Sequence, residues 1–293
     1  MKQKICMITG ANSGIGKAAA IKIAQQGHHI IIACRNLEKG KAALREVKAA
    51  SGNDAVELMI VDMSLQSSIR DLSDAFLSKF EHLDVLIHNA AIFDITQKQA
   101  TYTAEGIESV WATNHLGPVF LTELLWDALV NSSHGRVITI ASKGLMAKPF
   151  LKVDLEDPEF KEKPFSIENA YYQSKLAQIM YTYWLAEQGR DDQVTANCIR
   201  VPAVSVDIAK FSGLPTILKK VYAFKSKFSL SPEEMASGYA YLATAVELNS
   251  VTGIYFEEKM KPVKPGKYAQ QDQEIENVMN LTMKYLRKSS GEI

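Results

Sequence analysis

A tyrosine and a lysine with the spacing of a proton-transfer pair occur in the run Tyr171-Tyr172-Gln173-Ser174-Lys175, which has a helical pattern. Side chains four positions apart lie on one face of a helix. A phenol has a pKa near ~10, and a neighbouring ammonium group stabilises its ionised form. We therefore expect Lys175 to lower the pKa of Tyr171 and make it a general acid or base. Tyr172 is also near Lys175, so spacing does not choose between the tyrosines, and a buried tyrosine beside a solvent-reaching lysine is the alternative.

A glycine-rich turn follows the first predicted strand, Lys4–Thr9, and contains Gly10, Gly14 and Gly16. Strand, glycine turn and helix together form the phosphate-binding opening of a dinucleotide fold. The glycines let the backbone approach a pyrophosphate, and the free N–H groups of the first helical turn face that anion. The spacing G-x-x-x-G-x-G differs from the commoner G-x-G-x-x-G, and a simple tight loop is the alternative.

The second predicted strand, His29–Cys34, ends without the acidic residue that usually holds the ribose 2′-hydroxyl of NAD. Arg35 follows it directly, and the first acid is Glu38. A guanidinium group attracts a 2′-phosphate, so this pattern predicts a preference for NADP(H), with Lys17 and Lys39 adding positive charge. Alternatively, Arg35 is only a solvated loop charge.

Three further predicted strands end at polar or small residues, where an open sheet binds its ligand. They are Val56–Val61 followed by Asp62, Leu83–His88 followed by Asn89-Ala90-Ala91, and Arg136–Ala141 followed by Ser142. A long helical stretch, Gly106–Val130, contains Asn114, whose side chain is either functional or hydrogen-bonded within the helices.

Predicted strands alternate with predicted helices along the whole chain, which indicates one α/β domain over residues 1–293 with a doubly wound, parallel, seven-stranded sheet. The remaining strands are Val194–Val201 and Thr252–Phe256. Further helices are expected at Glu38–Ala50, Leu65–Phe80, Ser166–Gln188 and Glu274–Arg287, and Ser231-Pro232-Glu233-Glu234 is a strong helix start. The long connection Lys143–Asn169 is expected to be largely irregular, and residues 258–293 form a C-terminal extension.

The composition excludes several classes of protein. The chain has 293 residues, 47% hydrophobic residues and a formal net charge of zero, which argues against disorder and against nucleic acid as a partner. Its three cysteines are expected to be reduced core residues, and its six histidines show no metal-binding spacing. We expect a cytoplasmic protein, because no signal peptide and no membrane-length apolar run are visible.

These motifs, taken in order, resemble those of the short-chain dehydrogenase/reductase family over nearly the whole chain. The matching residues are Thr9-Gly10-Ala11-Asn12-Ser13-Gly14-Ile15-Gly16, Asp62, Asn89-Ala90-Ala91, Asn114, Ser142 and Tyr171 with Lys175. The chain looks most like the retinol dehydrogenase and WW-domain oxidoreductase branch. The stretches that indicate this branch are Ala33-Cys34-Arg35-Asn36, Asn114-His115-Leu116-Gly117 and Ser174-Lys175-Leu176-Ala177, together with the long loop before Tyr171.

The resemblance implies a Rossmann fold, an NADP(H) cofactor and specific roles. Tyr171 would be the acid or base, Lys175 would also bind the nicotinamide ribose, Ser142 would hydrogen-bond the substrate oxygen, and Asn114 would hold a water that links Lys175 to solvent. Cofactor contacts are expected from Gly10, Asn12, Ser13, Gly14, Ile15, Gly16, Arg35, Asn36, Asp62, Met63, Asn89, Ala90, Ala91, Tyr171, Lys175 and Pro202.

The chain departs from the family pattern in three places. His88-Asn89-Ala90-Ala91 stands where Asn-Asn-Ala-Gly is usual, and Ala141 precedes Ser142 where a second serine is common. In Pro202-Ala203-Val204-Ser205-Val206-Asp207, Ala203 replaces a glycine and Asp207 a threonine, which affects the cofactor contacts expected from this loop.

The segment Ala203–Leu230 is unusually apolar for a surface connection and also carries five lysines. It leaves the edge of the sheet where ligands bind, so we expect residues 203–230 to act as a lid that excludes water from the substrate. A core-covering amphipathic helix and a peripheral membrane-surface helix are the alternatives.

The sequence thus predicts an NADP(H)-dependent oxidoreductase that acts on an apolar carbonyl or alcohol, retinal-like, aldehyde or ketone. The alternative is a regulatory or scaffold protein that binds the cofactor but has little catalytic activity. The sequence leaves the exact substrate, the direction of the reaction and the formation of a homo-oligomer open.

Overall fold

Seven parallel strands form one sheet in the computed structural model, which describes residues 3–202 and 230–290. The order across the sheet is β3-β2-β1-β4-β5-β6-β7. The strands are β1 Ile5–Thr9, β2 His29–Cys34, β3 Val56–Ile60, β4 Val85–His88, β5 Arg136–Ser142, β6 Thr195–Val201 and β7 Ile254–Phe256. The predicted seven-stranded parallel sheet is therefore confirmed, with strand ends that differ from the predicted ones by a few residues.

The strands are buried on both faces because helices cover each side of the sheet. Along β2 the side chains alternate between two apolar clusters, since Ile30 and Ile32 belong to one and Ile31 and Ala33 to the other. This alternation follows from the two-residue period of a strand. The sheet is therefore the shared middle layer of a three-layer α/β structure.

The helices divide between the two faces. They are α1 Gly14–Gln25, α2 Leu37–Ser51, α3 Gln66–Leu77, α4 Ser109–Trp111, α5 Gly117–Leu124, α6 Trp126–Val130, α7 Ile167–Gln188, α8 Pro232–Thr244 and α9 Asp272–Ser290. Buried side chains of α1, α2 and α8 share one apolar cluster, and those of α3, α5, α7 and α9 share the other. The direction of winding reverses between β1 and β4, and such a switch point opens a crevice at the carboxyl ends of the strands.

The prediction of one continuous helix over Gly106–Val130 is wrong in detail, because the structure divides this stretch into several helical pieces. The helix begins at Ser109, because the carboxylate of Glu108 accepts hydrogen bonds from the first N–H groups of α4. A π-helical turn, Ala112–Leu116, then follows. Pro118 explains it in part, because proline has no N–H to donate to the carbonyl of Asn114 four residues earlier. The chain bends again at Leu125, between α5 and α6.

Gly117 allows this bent helix to lie directly against the end of β3. A Cβ atom added there would be 2.2 Å from the carbonyl oxygen of Met63, which is closer than any side chain tolerates. The close approach brings the π-helical turn, and Asn114 within it, to the carboxyl edge of the sheet.

The connection between β5 and α7 is irregular after a short 3-10 helix, Lys143–Ala147, as the sequence predicts. Side-chain acceptors hold it in place instead. The carboxylate of Asp157 accepts hydrogen bonds from the N–H groups of Lys161, Glu162 and Lys163, and Gln173 of α7 donates to the carbonyl of Pro158.

The C-terminal helix α9 packs on the same face as α7. Its Thr282 hydroxyl lies 2.7 Å from Nε2 of the buried His115, and its Tyr285 hydroxyl donates to the carboxylate of Glu159 at 2.9 Å. Residues 203–229, which hold most of the predicted lid and the altered loop after Pro202, lie outside the described residues. Among the described helices, none is long and apolar enough to cross a membrane.

Candidate functional site

The predicted site residues come from the carboxyl ends of the first six strands and from the helices that follow them. The sheet register places these ends side by side, since β1 pairs with both β2 and β4, and β4 pairs with β5. The site therefore lies at the switch point of the sheet, as expected for a doubly wound fold.

The turn between β1 and α1 needs its glycines for two reasons. Gly10 and Gly14 have φ angles of +68° and +57°, which side chains rarely adopt. Gly16 has no room for a side chain, because a Cβ atom there would lie 2.4 Å from Nδ2 of Asn89. Ser13 is the N-cap of α1, but its side chain caps none of the first N–H groups. These donors at the helix N-terminus remain available for an anion.

Asn89 fixes this turn to the end of β4. Its Nδ2 donates to the carbonyls of Thr9 at 2.9 Å and Gly10 at 3.3 Å. The N–H of Ala90 donates to Oγ1 of Thr9 at 3.0 Å. The hydroxyl of Tyr239, from α8, donates to Oδ1 of Asn89 at 3.4 Å. Both ends of the Asn89 amide are therefore engaged, which keeps the glycine turn in one position.

A cleft of about 420 Å³ opens beside the glycine turn. It contains most of the predicted cofactor contacts and also residues that the sequence did not indicate, of which Cys34, Val61 and Ser64 flank strand ends. The lining residues are Gly10, Asn12, Ser13, Ile15, Gly16, Cys34, Arg35, Val61, Asp62, Met63, Ser64, Asn89, Ala90, Ala91, Ile92, Ser109 and Thr113.

Five predicted contacts do not line this cleft: Gly14, Asn36, Tyr171, Lys175 and Pro202. Tyr171 and Lys175 belong to α7. Gly14 shapes the turn through its positive φ. Asn36 is the N-cap of α2, and its side chain accepts a hydrogen bond from the N–H of Lys39 at 2.9 Å. Pro202 directly follows β6. These residues therefore have structural positions next to the cleft rather than within it.

Arg35 lies at the mouth of the cleft with its side chain 74% exposed, and its Nη1 is 3.5 Å from Oδ2 of Asp62. The other carboxylate oxygen of Asp62 accepts from the N–H and hydroxyl of Ser64. Arg35 therefore lines the cleft while most of its side chain is solvated, and its role as a phosphate ligand stays a prediction. Lys17, predicted to add charge here, forms an ion pair with Glu46 of α2 instead.

The side chain of Ser142 lies near the Tyr171 hydroxyl at the end of β5, and its interaction with the phenol acts to lower the pKa of Tyr171. Ser142 is the last residue of that strand, and its Oγ accepts from the N–H of Gly144 at 3.2 Å. The ring of Tyr172 lies beside Gly144, where an added Cβ atom would be 2.3 Å from its hydroxyl. The assignment of Tyr171, rather than Tyr172, as the acid or base stays a prediction.

The expected effect of Lys175 on Tyr171 is wrong for the cofactor-free protein. Burial raises the pKa of Tyr171 to about 12, although the interaction with Ser142 opposes that rise. Nζ of Lys175 lies 5.8 Å from the centre of the Tyr171 ring and donates to the carbonyl of Ile140 at 2.8 Å. The ammonium group is therefore near the ring, but desolvation of the phenol is the largest effect on the pKa of Tyr171.

Lys175 itself is almost fully buried, and burial lowers its pKa to about 8. Beneath it, His88 stands where the family commonly has asparagine. Burial, with a contribution from the Lys175 charge, lowers the pKa of His88 to about 3, and its Nε2 lies 2.7 Å from the Thr122 hydroxyl. His88 is therefore neutral at physiological pH and has a structural role, whereas Lys175 is a buried cation beside Tyr171.

Asn114 is also buried, and its side chain is fully engaged. Its Oδ1 accepts from the N–H of Ile92 at 2.8 Å, and its Nδ2 donates to the carbonyl of Ile92 at 3.1 Å and to Oγ of Ser174 at 3.2 Å. The Ser174 hydroxyl in turn donates to the carbonyl of Tyr171 at 2.7 Å. Asn114 thus connects the cleft residue Ile92 to the helix turn that carries Tyr171.

Sequence reasoning missed two aromatic residues of the site. Tyr239 is buried and contacts Asn89, and Phe93 packs its ring on Tyr171 with the centroids 4.4 Å apart. Neither residue belongs to a sequence motif. Phe93 could have been noticed only from its position two residues after Ala91, and Tyr239 has no such signal. Among the described residues, no group of three or more His, Cys, Asp or Glu side chains could hold a metal ion. Cys6, Cys34 and Cys198 are free and buried, as expected for core cysteines.

Comparisons with known proteins agree on one family. The model of the short chain dehydrogenase family matches residues 4–152. Human retinol dehydrogenase 13 is 32% identical over 93% of this chain and 81% of its own length. Mouse retinol dehydrogenase 11 is 32% identical over 87% of this chain and 78% of its own. Chicken WW domain-containing oxidoreductase is 32% identical over 86% of this chain and 61% of its own.

Solved structures share the fold. An uncharacterized protein from Mycobacterium paratuberculosis has a TM-score of 0.72 and 26% identity, with 96% of this chain and 92% of that chain covered. A short chain dehydrogenase from Escherichia coli CFT073, solved in complex with NADPH, has a TM-score of 0.67 and 19% identity, covering 88% of this chain and 98% of its own. The resemblance inferred from the motifs, including its retinol dehydrogenase branch, is confirmed.

Proposed function

The chain belongs to the short chain dehydrogenase family of oxidoreductases, and from this premise we propose that it transfers a hydride between NADP(H) and the carbonyl or alcohol carbon of an apolar substrate. The observation that supports this proposal best is the proximity of Ser142, Tyr171 and the buried Lys175 at the end of β5. These three side chains lie next to a cleft whose glycine turn accommodates a pyrophosphate.

The residues of the cleft fit a dinucleotide. The start of α1 has no side-chain cap, so its first N–H groups can face a pyrophosphate, and Gly10 and Gly16 let the turn pack closely against Ala90 and Asn89. Asp62 lies where an adenine would bind, and Ala90 and Ala91 allow close approach of the cofactor. Arg35, at the cleft mouth, would attract a 2′-phosphate and favour NADP(H) over NAD(H). The E. coli relative of the same fold is a complex with NADPH, which agrees with this assignment.

The cofactor, when bound, supplies or accepts the hydride. Tyr171 carries the proton: in reduction its hydroxyl donates to the carbonyl oxygen of the substrate, and in oxidation its phenolate removes the alcohol proton. The phenol of the cofactor-free protein is protonated at neutral pH, because burial raises its pKa to about 12, and a protonated phenol is the form that reduction needs.

Ser142 and Lys175 stabilise the charge that this proton transfer creates. The Ser142 hydroxyl donates to the oxygen on which negative charge develops, and the Lys175 ammonium stabilises the tyrosinate that remains. Lys175 would also hold the nicotinamide ribose, since its Nζ needs only one of its donors for the carbonyl of Ile140. Asn114 holds Ile92 and Ser174 in place, and this positions both the cleft and the Tyr171 turn.

The apolar substrate class is supported by exposed hydrophobic side chains near this edge. Phe93 is 38% exposed and Met146 63%, and they follow β4 and β5, the strands that precede Asn89 and end at Ser142. The sequence relatives are named retinol dehydrogenases, which are proteins of the same kind of chemistry. We therefore propose an apolar aldehyde or ketone, of which retinal is one example.

The proposal is tested by following NADPH absorbance while purified protein is mixed with a panel of apolar and polar aldehydes. We expect turnover with apolar aldehydes, loss of turnover in Tyr171→Phe, and retained turnover in the matched control Tyr172→Phe. Protein that binds NADPH but turns over none of the aldehydes would support the regulatory alternative instead. Loss of activity in Tyr172→Phe alone would show that the wrong tyrosine is assigned.

A further inference from the structure

Phe93 lies in the loop after β4 and packs on the ring of Tyr171. The two ring centroids are 4.4 Å apart and the planes are inclined by 34°, while Tyr172 approaches the same Tyr171 ring edge-on at 5.4 Å. Phe93 is 38% exposed, so part of its ring covers Tyr171 and part remains open. The contact is unusual for a loop residue, because exposed loop side chains usually have no fixed partner.

The backbone on both sides of Phe93 is held in place. The preceding residue, Ile92, is bonded through its N–H and its carbonyl to the buried side chain of Asn114. The following residue, Asp94, closes a turn by accepting from the N–H of Thr96 at 2.9 Å and from its hydroxyl at 2.6 Å. Phe93 is therefore a rigidly placed ring between two anchored residues, and its contact with Tyr171 is built into the fold.

We propose that Phe93 is the residue that positions Tyr171 against Ser142 and that selects the substrate, by offering the open part of its ring to a flat, conjugated or aromatic group next to the reacting carbonyl. This inference rests on the proposed function, because it concerns the substrate of the same site. Phe93 acts on the proton transfer through Tyr171 and is a positioning residue in that step.

The physical argument has two parts. A ring stacked on Tyr171 restricts the phenol to the orientation that meets Ser142, and aromatic pairs of this kind change equilibria by about two- to tenfold beyond simple burial. The ring also keeps water away from the phenol. Because burial is the main cause of the raised pKa of Tyr171, removal of the Phe93 ring is expected to bring that pKa back toward ~10.

The substrate preference follows from the shape of the exposed surface. A flat conjugated chain can stack on an aromatic ring, whereas a flexible saturated chain loses more conformational freedom for less contact. An unsaturated aldehyde such as trans-2-octenal should therefore gain more from Phe93 than octanal, which has the same length and nearly the same hydrophobicity.

The test compares Phe93→Ala, Phe93→Leu and Phe93→Tyr with the wild type, and uses Phe150→Ala as the matched control. Phe150 is 93% exposed, so Phe150→Ala removes the same type of side chain as Phe93→Ala but disrupts almost no packing. Kinetics with NADPH are measured for trans-2-octenal and octanal. We expect Phe93→Ala to lower the kcat/KM ratio of the enal to the alkanal about five- to tenfold, and Phe93→Tyr to restore it.

The pH profile gives a second readout that a structural role alone would not move. Reduction requires the protonated phenol, so kcat/KM falls as the pH rises through the pKa of Tyr171. In Phe93→Ala and Phe93→Leu this fall should occur at lower pH than in the wild type, and in Phe150→Ala it should not move. Far-ultraviolet circular dichroism and thermal unfolding of each variant confirm that the comparison is made on folded protein.

The outcomes separate this inference from the function on which it rests. A wild type with no reductase activity overturns both the proposed function and the role of Phe93. An active wild type, with Phe93→Ala equal to Phe150→Ala in substrate ratio and pH profile, overturns the role of Phe93 alone. A changed ratio that Phe93→Leu restores as well as Phe93→Tyr would also overturn it, because apolar volume and not an aromatic ring would then be sufficient.

Discussion

Replacing Lys175 with methionine should make the cofactor-free protein more resistant to unfolding at neutral pH, although Lys175 belongs to the candidate site. Lys175 is 3% exposed, and burial lowers its pKa from 10.5 to about 8. At neutral pH the folded protein therefore holds a charge that burial disfavours, and methionine has a similar length without that charge. Sites that are arranged for chemistry often reduce stability in this way.

The magnitude follows from the two pKa values. A tenfold change in proton affinity corresponds to ~1.4 kcal/mol, so the shift from 10.5 to about 8 costs the folded state about 3 kcal/mol at pH 7. The cost disappears as the pH rises from about 8 to 10.5, because the folded lysine then loses its proton while the unfolded lysine keeps it. Methionine also loses the hydrogen bond to Ile140, which costs roughly 1–3 kcal/mol at every pH.

The pH-dependent part of the difference is therefore the quantity to measure. Urea unfolding of the wild type and Lys175→Met, without cofactor, should give a free-energy advantage of the variant that shrinks by about 2–3 kcal/mol between pH 7 and pH 10. The nearest titratable groups do not interfere, since His88 is neutral throughout and burial raises the pKa of the Cys198 thiol to about 11. Lys41→Met, at an exposed position in α2, is the matched control and should show no such change.

A difference between Lys175→Met and the wild type that is the same at pH 7 and pH 10 would refute this reasoning. It would mean that the buried lysine keeps its ordinary proton affinity and that water or a partner solvates it. Urea unfolding of both proteins is then repeated with saturating NADPH. The cofactor is expected to raise the free energy of unfolding of the wild type more than that of the variant.

Three other predictions concern the cleft and the loop beside it. Arg35→Asp should reverse the preference from NADPH to NADH in a binding titration, and equal affinities in the wild type would contradict the role of Arg35. Gly16→Ala should weaken NADPH binding at least tenfold, because its methyl group would meet Asn89 2.4 Å away, and unchanged binding in calorimetry would argue against the glycine turn as the pyrophosphate site. Asn114→Ala should speed hydrogen exchange at the amide of Ile92 about tenfold, because that amide loses its hydrogen-bond acceptor. An unchanged exchange rate would show that Asn114 does not hold Ile92 in place.

Much of the architecture could be predicted from the sequence because the strands are continuous apolar runs and the helices have clear caps. Ser231 and Glu234 form the predicted capping box of α8, and α7 begins at Ile167, one residue after its predicted start at Ser166. The interrupted helix around Asn114 could not be predicted, because its bend depends on tertiary contacts. Gly117 lies against the backbone of Met63, and Glu108 is a cap only because its carboxylate folds back on the first N–H groups of α4.

The members of the candidate site could be found from the sequence, but their electrostatics could not. The helical spacing correctly placed Lys175 near Tyr171, yet it gave the wrong direction for the pKa of the phenol. Spacing shows which side chains are neighbours and does not show how far each is buried, and burial is the larger effect here. The contact between Phe93 and Tyr171 joins a loop and a helix that are far apart in the chain, and no local pattern encodes it.

The central claim is that Tyr171 gives a proton while the cofactor gives a hydride to the same apolar carbonyl. The most direct measurement is a single turnover with excess enzyme, NADPH that carries deuterium at the transferred position, and an apolar aldehyde that the wild type accepts. The account predicts one deuterium on the carbinol carbon of each product molecule in the wild type and in Tyr172→Phe, and no product in Tyr171→Phe with NADPH still bound. Labelled product at the wild-type rate from Tyr171→Phe, or cofactor binding without any transfer in the wild type, would contradict it.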